Sequence, residues 1–127
     1  MSGCLKEIMS SPVVTFHEAV PASDALATME EAGVRHGVVV RGDEVIGVVS
    51  DRDLGGAHGA VERRHHTVSD RMQRVAIVGS PDTTLVAAAL FMRDHGIGCV
   101  PVVVKGKLVG IVTRGDLLGA LAEEARH

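Results

Sequence analysis

Apolar positions along this chain follow two periods, and the same succession of periods occurs twice. A short apolar run at Val13–Phe16 reads as a strand. Ala25, Leu26 and Met29 then recur at helical spacing within residues 22–32, and Gly33 follows as a left-handed helix stop. Two runs rich in β-branched residues come next, Gly37–Arg41 and Val45–Ser50. They flank Gly42-Asp43-Glu44, which has the composition of a hairpin turn. A further helix is expected to begin near Asp51. The second succession starts with a strand at Ala76–Val78 and a helix over Thr84–His95, with Ala88, Leu90 and Met92 facing inward. Gly96 stops that helix, Cys99–Val104 and Leu108–Thr113 form a hairpin about Lys105-Gly106-Lys107, and a last helix starts at Arg114. Each copy therefore reads β-α-β-β-α.

A shift of 63 residues superimposes the chain on itself without a gap. Met9 meets Met72, Ala25 meets Ala88, Met29 meets Met92 and Gly33 meets Gly96. Gly47 meets Gly110, Asp53 meets Asp116, and Leu54, Gly56 and Ala57 meet Leu117, Gly119 and Ala120. Val14 with Ile77, Val34 with Ile97, Val48 with Ile111 and Ser50 with Thr113 are conservative matches. The chain is a tandem duplication, with repeat 1 at 6–60, a linker at 61–68 and repeat 2 at 69–125. At about 60 residues neither half buries a sheet alone, so an α+β fold is expected in which two small sheets pack together as one pseudo-twofold module.

Composition narrows the function. The 127 residues are 46% hydrophobic, enough for one shared core, and carry a net charge of -3. The only basic run, Arg63-Arg64-His65-His66, is flanked by Glu62 and Asp70, so nucleic acid is not an expected partner. No apolar stretch reaches the roughly 18 residues of a membrane helix, and the amino terminus lacks the apolar core of a signal peptide. Cys4 and Cys99 make no disulfide framework, and a cytoplasmic location with no membrane insertion is expected.

The chemistry concentrates in Gly47-Val48-Val49-Ser50-Asp51-Arg52-Asp53 and Gly110-Ile111-Val112-Thr113-Arg114-Gly115-Asp116. Both follow the rule Gly, two β-branched residues, Ser or Thr, two variable residues, Asp. A hydroxyl residue with an acid three positions on is a helix capping box, and that alone accounts for the pattern. The same geometry also suits a ligand. A helix start offers free N–H groups and a positive dipole end to a phosphate, and an Asp one turn on can accept from ribose hydroxyls. The two roles can coexist.

The duplication, the element order and the twin motifs together resemble a CBS domain pair, or Bateman module, over nearly the whole chain from about Lys6 to Leu121. The second copy carries the resemblance most strongly, in Asp94-His95-Gly96-Ile97, Val100-Pro101-Val102-Val103 and Leu108–Thr113. The resemblance implies a regulatory module that binds AMP, ADP, ATP, S-adenosylmethionine or an NAD-like nucleotide in clefts between the repeats. Such a module signals to a partner protein by conformational change. It assigns ribose to Asp53 and Asp116, and phosphate or its neighbourhood to Ser50, Thr113, Arg35 and His36. Arg52 and Arg114 can add charge there. The base would lie against Val14, Phe16, Val38, Ile77 and Ile97, since the chain has no Trp or Tyr. Gly98-Cys99 stands in the second copy where the first has Arg35-His36, so one well-formed site is expected rather than two equal ones.

Three other readings compete with this one. His58, His65 and His66 with Asp70 could gather a metal, but lack any recognised ligand spacing. Catalysis would need a nucleophile, a carboxylate pair or a helix-opening Gly-rich loop, and Gly96-Ile97-Gly98 precedes a strand instead of following one. No catalytic cofactor and no enzyme activity are therefore expected. A ligand-free dimerisation or protein-docking module is the serious alternative. Family members pair through their long helices, so a homodimer is expected, with Ala25, Leu26, Met29, Ala88, Leu90 and Met92 supplying core and surface.

Overall fold

A computed structural model describes residues 1–55, 64–74 and 77–126. The chain forms two compact bodies, one of Val14–Ala76 and the other of Met1–Val13 with Ile77–His127. Packing thus divides the chain elsewhere than the duplication does. Residues 6–13 lie in the first repeat by sequence but pack in the second body, and residues 69–74 pack in the first.

The first body holds β1 (Thr15–His17), α1 (Ala22–Ala32), β2 (His36–Arg41), β3 (Glu44–Ser50), α2 (Val68–Arg71) and β4 (Gln73–Arg74). The sheet order is β1-β2-β3-β4, with β1 parallel to β2 and the other pairs antiparallel. Ala22, Ala25, Leu26 and Met29 recur at the helical period, and all four are buried. They meet Phe16, Val39, Val49, Leu54 and Val68 in one cluster. Alternate residues Val38 and Val48 are buried as well, so the hairpin reads as a continuous valine run.

The second body repeats the plan with α3 (Leu85–His95), β5 (Cys99–Val104), β6 (Lys107–Thr113) and α4 (Arg114–Ala125). Thr84 caps α3, its Oγ1 accepting the Ala87 N–H at 3.1 Å. Gly33 and Gly96 end α1 and α3 in the left-handed conformation, as the sequence pattern implied. Both hairpin loops are two residues long, since Glu44 and Lys107 already belong to strands.

Two expectations need correcting. The strand expected at Ala76–Val78 is reduced to one parallel bridge between Gly79 and Val102, while Ala76 lies outside the described residues. Pro101 explains this. In the first body the Val38 N–H donates to the Val14 carbonyl at 3.0 Å, whereas Pro101 at the equivalent place has no N–H to give. The helix expected from Asp51 does not begin there. Asp51–Gly55 forms hydrogen-bonded turns, with Gly55 at a φ of 82°, a conformation that Leu118 at the equivalent place would resist. The remainder of that expected helix falls on 56–63, outside the described residues.

The motif glycines have a packing cause. A Cβ at Gly47 would stand 2.6 Å from Met72 Sδ, and one at Gly110 would stand 2.6 Å from Met9 Sδ. Each strand therefore runs under a methionine from the opening segment of a repeat, Met72 for Gly47 and Met9 for Gly110. Leu5, fully buried, anchors the Met9 segment, and Val68, fully buried, anchors the Met72 segment. Thr67 and Asp70 close a capping box over α2, with the Thr67 N–H donating to Asp70 Oδ2 at 2.9 Å. That bond is the main cause holding the Asp70 carboxyl below its ordinary range.

Candidate functional site

The two motifs form matching corners at the ends of β3 and β6. Ser50 N–H donates to Asp53 Oδ2 at 2.8 Å, and Asp53 N–H donates back to Ser50 Oγ at 3.0 Å. In the second body Thr113 N–H donates to Asp116 Oδ2 at 2.8 Å, and Asp116 N–H to Thr113 Oγ1 at 3.1 Å. Both motifs are thus reciprocal capping boxes, and in the second body the box opens α4. Each carboxylate spends only Oδ2 in this way. Among the described residues no hydrogen bond is made to either Oδ1, and both acids are half-buried. One oxygen fixes the side chain's direction while the other keeps its accepting capacity.

The backbone around each box is also duplicated. Asp51 N–H donates to the Arg35 carbonyl at 3.0 Å, and Arg114 N–H to the Gly98 carbonyl at 2.9 Å. His36 pairs with Ser50 across the β2/β3 ladder, as Cys99 pairs with Thr113 across β5/β6. The side chains on these equal frames differ. The first corner carries Arg35, His36 and Arg52, with the two arginines exposed. Arg35, Asp51, Arg52 and Gly55 line a cleft of about 300 Å³ there. Among the described residues, two guanidiniums and the Asp51 carboxylate line that cleft. The second corner has Gly98, buried Cys99, Arg114 and Gly115 instead. Arg114 turns one nitrogen inward, with Nη2 donating to the Ile97 carbonyl at 3.2 Å.

The residues proposed as base walls divide by burial. Val38, Ile97 and Phe16 are buried, while Val14 and Ile77 are half-buried. The Phe16 ring packs in the first body's core, so close over Gly37 that a Cβ there would meet Cε2 at 2.6 Å. The first body gathers Val14, Phe16, Arg35, His36, Val38, Ser50, Arg52 and Asp53; the second gathers Ile77, Ile97, Thr113, Arg114 and Asp116.

Sequence reasoning missed Asp51 and Gly55 in the cleft lining, and it missed Arg71, whose Nε donates to the Asp53 carbonyl at 2.9 Å. The available signal was a polarity change at a repeat position, since Arg71 is matched by Ile8 and both are half-buried. Among the described residues no group of three or more His, Cys, Asp and Glu side chains is placed to hold a metal. His58, one candidate ligand, lies outside them. No helix among the described residues is long and apolar enough to cross a membrane.

Comparison with known proteins places the chain in a class. The CBS domain family model matches residues 5–56 and again 68–123. The chain belongs to the CBS domain family, as a pair of CBS repeats with an α+β fold. Among individual relatives, protein MJ1404 of Methanocaldococcus jannaschii is 37% identical over 123 residues, 94% of this chain but 28% of that protein. The CBS domain-containing protein YhcV of Bacillus subtilis is 32% identical over 89% of this chain and 81% of its own length. The chain thus spans under a third of one relative and most of the other. The fold matches the crystallised CBS domain pair of protein MJ0100 with a TM-score of 0.84, 24% identity, and coverage of 98% of this chain and 99% of that one. That structure is a complex with 5′-methylthioadenosine and S-adenosyl-L-methionine.

Proposed function

We propose that this chain is a regulatory, non-catalytic module that binds an adenosine-containing ligand, an adenine nucleotide or S-adenosylmethionine, at its Ser/Thr-x-x-Asp corners. The observation carrying this reading is the pair of half-buried aspartates, each held by a box through Oδ2 with Oδ1 unspent. Asp53 and Asp116 accept from ribose hydroxyls. Ser50 and Thr113 stand next to the phosphate or its substitute, with Arg35, His36 and Arg52 at the first corner and Arg114 at the second. Val14, Phe16 and Val38 in the first body, and Ile77 and Ile97 in the second, are the apolar residues proposed for contact with a base. The guanidiniums of Arg35 and Arg52 in one cleft favour the first corner for a phosphate-bearing ligand, and the crystallised relative with two adenosine compounds supports the ligand class. Binding shifts the balance of conformations and so signals to a regulated partner protein in the cytoplasm.

Calorimetry with AMP, ATP, NAD, S-adenosylmethionine and cyclic dinucleotides tests this. A ligand at about a hundredfold excess over Kd adds about 2.7 kcal/mol of stability, which a Tm measurement resolves as several degrees. If none of these compounds binds at concentrations of about 1 mM, equivalent to roughly −4 kcal/mol, the reading fails.

A homodimer is the second reading, and one observation favours it. Leu118 and Leu121 on α4 are 61% and 47% exposed, and Val86 and Leu90 on α3 are 48% and 42% exposed. Beside them a groove of about 410 Å³ is lined by Met1, Ala89, Met92, Leu117, Leu118 and Leu121, together with Arg93 and Arg114. Ala25, Leu26, Met29, Ala88 and Met92 are buried core, which leaves Leu90 as the surface member of the expected helix faces. Apolar exposure of this kind marks a contact surface.

A further inference from the structure

The Asp53 and Asp116 boxes match in every bond but are supported differently from behind. Asp116 lies in the first turn of α4, so its carbonyl enters that helix's own i to i+4 ladder. Asp53 sits in the Asp51–Gly55 turns, where Gly55 N–H goes back to the Arg52 carbonyl at 2.9 Å. Its carbonyl is instead taken by Arg71 Nε at 2.9 Å, between two half-buried residues. A charged donor makes the stronger kind of hydrogen bond, and partial burial reduces competition from water.

Arg71 is well placed to act as a fixed point. It ends α2, whose first residue Val68 is fully buried and whose start is closed by the Thr67–Asp70 box. The next residue, Met72, seats on Gly47 of β3, the strand that leads into Ser50. The turn bearing Asp53 is therefore pinned to the same short segment that covers its strand. Ile8 occupies the equivalent place in the second body, and its side chain has no donor to offer.

We infer that Arg71 is a positioning residue for the Asp53 corner alone, its Nε–H holding the Asp53 carbonyl so that Oδ1 keeps the direction a ribose hydroxyl requires. This rests on the adenosine reading above. The effect is specific to one of two otherwise equal boxes, which makes it separable from general stability.

The test uses the full chain with Arg71→Met, which keeps the stem and removes the donor, and Arg71→Lys, which keeps the charge without the Nε geometry. In the ligand-free protein, amide exchange at Asp53, Leu54 and Gly55 should quicken about tenfold in both variants, the factor that 1.4 kcal/mol produces. Exchange at Asp116 and Leu117 should stay as in the parent. AMP and S-adenosylmethionine are the binding probes. Affinity at the Asp53 corner should fall about tenfold, with no further loss when Arg71→Met is added to Asp53→Ala. If Arg71→Met does not fold, Arg71→Lys carries the measurement. Unchanged exchange at 53–55, equal loosening at both boxes, or full retention of affinity in Arg71→Lys overturns the inference. If neither probe binds the parent protein, the adenosine reading fails, and exchange at 53–55 alone decides whether Arg71 holds the turn.

Discussion

Replacing Asp53 and Asp116 by Glu, one at a time, separates a cap from a ligand contact. Glu is the usual third-position residue of a capping box, and its longer side chain reaches back to the N-cap N–H as readily as Asp does. The bonds of 2.8 Å from Ser50 and Thr113 N–H to the carboxylates should therefore re-form, with stability within about 0.5 kcal/mol of the parent. The ligand-facing oxygen, however, moves outward by one methylene. Removing a paired acceptor from a ligand hydroxyl costs about 1.5 kcal/mol or more per bond, so affinity should fall at least roughly tenfold. Alanine gives the contrasting pattern, since it deletes both functions: a loss of about 1 kcal/mol in stability, within the range of about 0.5–2 for caps, together with lost binding. Urea unfolding reports the first quantity and calorimetry with AMP the second. If Asp116→Glu and Asp53→Glu bind as the parent does, while the alanine variants lose binding only as far as they unfold, both acids serve the fold alone.

The motif glycines give a second test, in which the two copies should not behave alike. A Cβ at Gly47 would meet the Gln73 carbonyl oxygen at 2.8 Å besides Met72 Sδ, whereas the three atoms nearest to one at Gly110 all belong to the flexible Met9 side chain. Gly47→Ala should cost about 1–3 kcal/mol in urea unfolding and Gly110→Ala distinctly less, with Met9→Ala relieving the second but Met72→Ala not fully relieving the first; equal costs would count against this packing. The exposed face of α4 gives a third. Leu118→Asp should reduce a light-scattering mass of two chains to one without lowering stability by more than about 0.5 kcal/mol, as for an ordinary surface change, and a parent protein of one-chain mass would remove the homodimer reading.

What could be read from the sequence depended on whether a residue's neighbours lie nearby in the chain. Helix faces such as Ala22, Ala25, Leu26 and Met29 are local patterns, and so are the glycine stops at 33 and 96, which is why those elements stood out. The boxes were equally local, three residues from donor to acceptor. Met9 and Met72 were also visible as a repeat pair. Nothing local, however, says that Met9 seats on Gly110, about a hundred residues away, while Met72 seats on Gly47. A symmetric duplication is compatible with either pairing, because each segment presents the same methionine to the same kind of glycine. The departures from symmetry carry the most functional information, and each comes down to one residue. Pro101 withholds an N–H and shortens a strand to a bridge, Gly55 allows a turn where Leu118 continues a helix, and Arg71 supplies a side-chain donor where Ile8 has none. Two of these three changes fall on the Asp53 turn, and Arg35 and His36 stand at the same corner. Two identical corners would have the same intrinsic affinity for a first ligand, so a preference of one corner for a charged ligand has to come from such local differences.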